Sequence, residues 1–198
     1  MIHGLSIVKA ALAVFLVTLA ACDTAAPERP SLSLSFTQQG PLNLDVTGVR
    51  VESRYFPPMQ DPNVDHEFPV PPLTAMRSWA SDRLRARGAN GIAVLMIEDA
   101  SARKEGLKTD RGVSGLFKNE QSDRYHVRVA ATLEIRDTRG NVLATASTRA
   151  SRSVTTPEGI TLAERDRVWF EITDELMQDF DDEMERRMRL HMPTWLKY

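Results

Sequence analysis

The sequence predicts an α+β fold: a mainly antiparallel sheet of about four strands with two helices packed on one face. Three observations predict it. Tyr125 to Arg136 alternates apolar and polar residues without a break, then turns at Asp137-Thr138-Arg139-Gly140-Asn141 into a second extended stretch, Val142 to Val154. That is a hairpin. A helix-start signature at Thr161-Leu162-Ala163-Glu164 opens a long amphipathic segment. A second, shorter helical stripe lies between two earlier strand signals. The order is strand, helix, strand, hairpin, long helix, and helices on one face of the sheet follow from it.

Each element has its own warrant. Leu42-Asn43-Leu44-Asp45-Val46 alternates as a half-buried strand, slips at Thr47-Gly48, and resumes as Val49-Arg50-Val51-Glu52. A one-residue slip turns every side chain over, so a bulge at Gly48 is the expected reconciliation. Phe56 to Pro72 holds six prolines and is expected to be an extended connection of unusual length. Leu73 to Arg87 places Met76, Trp79, Ala80 and Leu84 on one helical stripe, with Arg83, Arg85 and Arg87 in the last turn and Gly88 as the stop. Ile92 to Ile97 is apolar throughout, as suits a central strand covered on both faces. Pairing is expected to resume over Ala102 to Leu107.

In the clearest strand Tyr125, Val127, Val129, Ala131, Leu133 and Ile135 face the core. Its hairpin partner is rich in Ala, Ser and Thr and belongs near a sheet edge. The last helix carries Trp169, Ile172, Leu176, Phe180 and Met184 on its apolar stripe, and Pro193 ends it. Trp195-Leu196-Lys197-Tyr198 is expected to dock on its own domain.

Composition excludes several function classes. The formal net charge is −2, so nothing electrostatic favours nucleic acid, and none is expected as a partner. The sequence has no Gly-x-Ser-x-Gly, His-Glu-x-x-His, phosphate loop or cysteine pair. His66, between Asp65 and Glu67, is a poor metal site because three successive residues do not converge on one ion. It is expected in a solvated loop. His126 sits on the polar face of a strand, and His191 ends a helix where a cation is favoured. Asp179, Asp181, Asp182, Glu183 and Glu185 are expected to form a solvated helix face rather than a calcium loop. Gly112-Val113-Ser114-Gly115 reads as a turn. No cofactor, no metal and no catalytic residue are expected.

The N-terminus has the marks of a secretory leader: Lys9, a short apolar run from Ala10 to Ala20, then small residues. Leu19-Ala20-Ala21-Cys22 resembles the lipobox of bacterial lipoproteins. The resemblance implies cleavage before Cys22, the only cysteine in the chain. It further implies diacylglycerol on the sulfur and usually an acyl group, palmitate for example, on the new amine. Residues 1–21 are then the signal peptide, residues 22–40 the lipidated cysteine and a flexible tether, and residues 41–198 a single α+β domain. The domain is expected to face the periplasm on a bacterial membrane. Asp23 is similar to an inner-membrane retention signal, and the choice of inner or outer membrane stays open.

The mature element order resembles small envelope lipoproteins of the ABC-transport auxiliary and lipopolysaccharide-assembly types. What this implies is a non-enzymatic accessory or scaffold subunit of a cell-envelope complex, with a membrane and an envelope protein as partners. Its oligomeric state is left open. Phe56 and Phe68 in the proline-rich connection, and the apolar pair Leu116-Phe117 in an otherwise polar loop, are the expected contact residues, the alternative for Leu116-Phe117 being a staple that tucks back over the core. The alternative is a lipid or small-molecule binder with an apolar pocket lined by Trp79, Trp169 and Phe180.

Overall fold

Two sheets, not one, organise the computed structural model, which describes residues 32–107 and 121–197. The larger sheet has the order β2 (Val49–Ser53), β4 (Ile92–Gly106), β5 (Gln121–Arg136), β6 (Val142–Pro157). The smaller has the order β3 (Leu84–Ala86), β1 (Leu42–Leu44), β7 (Leu196–Lys197). Helix α1 (Pro72–Arg83) lies between β2 and β3 in the chain, and α2 (Leu162–His191) follows β6. The α+β class is as the sequence predicts. The sheets, however, are mixed: β1 runs parallel to β3 and β2 parallel to β4, while the other ladders are antiparallel. The parallel pairs arise because the chain leaves β2, crosses back through α1, and returns in the same direction.

The slip at Thr47-Gly48 is therefore not a bulge. It is where the chain passes from the small sheet to the large one, with Thr47 N–H on Gly91 O at 3.0 Å and Ala93 N–H on Gly48 O at 2.9 Å. The true bulge lies in β4, where the register shifts between Ile97 and Asp99. One extra residue at Glu98 moves the inward set from Ala93, Leu95 and Ile97 to Ala100 and Ala102. Pairing then continues to Gly106.

The first helix also ends earlier than expected. It stops at Arg83, and Leu84 to Ala86 turn into β3. Gly88 is needed for a different reason than a helix stop: a Cβ there would lie 2.6 Å from Asp45 Cα, so the two parallel segments cross too closely for any side chain.

Both helices cover the same face of the large sheet. Trp79 and Met76 of α1 and Trp169, Leu176, Phe180 and Met184 of α2 meet Val127, Leu133 and Ile135 of β5 in one core. Fully burying a Leu, Ile, Met or Phe side chain contributes about 1.5–3 kcal/mol, and this core carries the fold with a single cysteine in the chain. On the opposite face Val94 and Met96 are also buried. Val94 sits in register between Arg50 and Glu134, and Met96 between Glu52 and Thr132. The stems of these neighbours shield them.

The proline-rich connection is packed in part: Phe56 and residues 58–62 are exposed, and His66 and Glu67 are solvated as expected, while its second half is anchored to the core. Val64 N–H bonds Ala102 O, Lys104 N–H bonds Pro62 O, and Val64, Asp65, Phe68 and Val70 are buried. Asp65, His66 and Glu67 form a single 3-10 turn. Phe36 is buried as well, its N–H on Asp82 Oδ2 at 2.9 Å, so the packed region reaches back before β1. At the other end β7 pairs with β1, and Lys197 Nζ lies 2.9 Å from Asp45 Oδ1.

Candidate functional site

The expected contact residues part company in the structure. Phe56 is 79% exposed, immediately beyond β2, and Met59 near it is 64% exposed. Phe68 is 3% exposed and stacks on Trp169, ring centroids 4.5 Å apart and planes 2° from parallel. Its ring is committed to the core, which leaves Phe56 as the exposed phenylalanine of this connection. Cys22 and the Leu116-Phe117 pair lie outside the described residues.

The aromatic residues expected to line a pocket are instead packed against one another. Trp79 meets Phe180 edge-on at 5.0 Å, and Tyr125 meets Trp169 edge-on at 5.2 Å. Each such pair adds about 0.5–1.5 kcal/mol beyond area burial. All four rings are buried, and the space between helices and sheet at this point is filled by side chains.

The least expected group is ionic. Arg83 is 1% exposed and Asp181 3% exposed. Arg83 Nε donates to Asp181 Oδ1 at 2.7 Å, and Trp79 Nε1 donates to the same oxygen at 2.7 Å. Arg83 Nη1 donates to the Gln39 carbonyl at 2.9 Å and also to that of Gly40, and Nη2 pairs with Glu185. Asp181 is thus not part of a solvated face; it ties α2 to α1, and Arg83 carries the link on to the segment before β1. The signal was present in the spacing. Arg83 falls four residues after Trp79, and Asp181 four after Met177, so each charge sits on an apolar stripe. Two such charges on two helices can be buried only as a pair.

Asp65 is buried as well, at 2% exposure, and the other charged groups among the described residues are partly or fully exposed. Arg152 of β6 donates to Asp179 Oδ2 at 2.6 Å and to Glu175 Oε2 at 2.6 Å. Its hydrogen bonds hold the Asp179 carboxyl below the ordinary aspartate range. A surface depression lined by Pro62, Arg103, Lys104, Glu105, His126 and Arg128 is compensated in part. Glu105 Oε2 is 3.1 Å from His126 Nε2, and Lys104 Nζ is 3.1 Å from Asp123. The Asp123 hydrogen bond raises the Lys104 pKa above its ordinary value. Among the described residues no group of three or more His, Cys, Asp and Glu side chains could hold a metal ion. Among them, too, no helix is long and apolar enough to cross a membrane.

No protein family and no curated protein matches this chain. Among solved structures it is similar to a minor lipoprotein from Acinetobacter baumannii, at 18% identity and a TM-score of 0.36, over 73% of this chain and 92% of that one. It is also similar to the rare lipoprotein B from Shewanella oneidensis, at 11% identity and a TM-score of 0.28, over 68% and 94%. Neither likeness carries a residue role across to this chain.

Proposed function

We propose that this chain is a non-enzymatic lipoprotein, held on a bacterial membrane through lipidated Cys22, that serves as an accessory or scaffold subunit of an envelope complex. The observation that carries the reading is Leu19-Ala20-Ala21-Cys22 at the end of a short apolar leader, followed by a polar stretch and then a packed domain. Each buried methylene of an acyl chain contributes about 0.8 kcal/mol, so two or three chains hold the domain durably at the bilayer. Confinement there raises its effective concentration for a membrane-bound partner without any new contact.

The filled aromatic core favours this role over a binder of lipid or small molecules in a central pocket. A domain whose helices are locked by Arg83 and Asp181 offers fixed surfaces. Phe56 and the Leu116-Phe117 pair are the proposed contact points on a periplasmic partner.

The test is an affinity pull-down of the full-length chain from crosslinked envelopes, with Cys22→Ala as control. A stoichiometric envelope protein that is captured by the wild type and lost in the control is the expected result. Capture of lipid with no protein partner would contradict the scaffold role.

A further inference from the structure

Strand β2 ends the large sheet and pairs with β4 alone; among the described residues no strand lies on its other side. The Gly48 carbonyl and the Arg54 N–H are both directed at β4. In a parallel ladder the backbone groups alternate by residue, so Arg50 and Glu52 also point at β4. The N–H and C=O groups of Val49, Val51 and Ser53 therefore point outward. Sheet edges are normally blunted by short length, proline, a bulge, a covering segment or charged side chains, which repel a like-charged copy. Val49-Arg50-Val51-Glu52-Ser53 has neither proline nor glycine, and its two charges are opposite.

We propose that this edge joins two copies of the chain, their β2 strands antiparallel and centred on Val51, in one sheet continuous across both. The sequence of the strand specifies that register. With Val51 opposite Val51, Arg50 of each copy falls opposite Glu52 of the other on the outer face, and Val49 falls opposite Ser53 on the helical face. A parallel, in-register arrangement would set Arg50 against Arg50. Within one copy Arg50 Nη1 and Glu52 Oε1 are 3.6 Å apart and both side chains are exposed, so both remain open to a partner across the strand. Outward-facing residues that oppose one another exchange both backbone hydrogen bonds.

The apolar surface agrees with the same register. Val51 is 38% exposed although it lies on the helical face, and Phe56 and Met59 extend exposed just past the strand. Pairing covers Val51 and brings each Phe56 towards the Thr47-Gly48 bend of the other copy. Gly48, which falls opposite Arg54, has nothing within 4 Å of where a Cβ would sit, so the approach is open. The two-fold axis stands perpendicular to the sheet, which leaves both helical layers on one side.

The test is disulfide crosslinking of the full-length chain in the cells that express it. Directly opposed hydrogen-bonded residues have Cα atoms about 5.5 Å apart, within disulfide reach. Val51→Cys is expected to give a covalent dimer on oxidation, above the background of two controls. These are the wild type, which carries only Cys22, and Val142→Cys, at an exposed position on the β5–β6 hairpin. Arg50→Glu is expected to weaken dimerisation of the detergent-solubilised chain by about tenfold or more, and Arg50→Glu with Glu52→Arg to restore it to within about threefold. No excess dimer from Val51→Cys, or a charge swap that fails to restore association, overturns the proposal.

Discussion

Asp181 accepts hydrogen bonds from Trp79 and Arg83 on one oxygen, with both charged side chains out of water. Removing one member of such a pair leaves the other buried and uncompensated, which costs about 3–5 kcal/mol. Asp181→Ala is expected to lower unfolding stability by that amount in a urea titration, whereas Arg83→Met with Asp181→Leu recovers most of it. The two phenylalanines of the connection separate in the same assay. Phe68→Ala is expected to cost about 3–5 kcal/mol because it opens a cavity against Trp169. Phe56→Ala is expected to stay within about 0.5 kcal/mol and to reduce capture of a partner instead. The pair formed by Arg152 and Asp179 is exposed and screened, worth no more than about 1 kcal/mol. Its pH dependence has a definite sign. The Asp179 carboxyl is held below its unfolded value by the Arg152 hydrogen bonds, so its contribution is present above about pH 4 and is lost as pH falls through the lower folded value. Stability measured against pH should show a wild-type advantage over Arg152→Ala near neutrality that vanishes in strong acid.

At the scale of elements, the crossing of β1 and β3 depends on Gly88, whose Cβ position is occupied by Asp45. Gly88→Ala is expected to push the two segments apart at a cost of about 1–3 kcal/mol, and to raise hydrogen exchange at Arg87 N–H, which bonds Leu44 O. Elements with many repeats of one period were legible in the sequence. The hairpin β5–β6 and the helix α2 with its capping box fall where alternation and the Thr161–Glu164 signature place them. Short elements were not. Strands β1 and β2 are three and five residues long, and a register slip looks the same whether a strand bulges or changes sheet. Arg83, Arg85 and Arg87 resembled one basic helix end. In fact Arg83 is buried in α1, while Arg85 lies in β3. Phe56 and Phe68 have equivalent proline-rich neighbours in sequence, and only the docking of residues 62–68 onto β4 and α2 distinguishes them.

For the molecule as a whole, the packed domain and the leader play separate parts. The domain presents fixed surfaces: an open β2 edge, exposed Phe56, and a polar outer sheet face. The proposed anchor at Cys22 decides where those surfaces work. Mass spectrometry of the mature N-terminus, on full-length protein recovered from fractionated cells, tests that division most directly. The expected species is a membrane-fraction chain that begins at Cys22 and carries a diacylglycerol thioether with an acylated amine. A chain in the soluble fraction with an unmodified Cys22, or one still bearing residues 1–21, would contradict it.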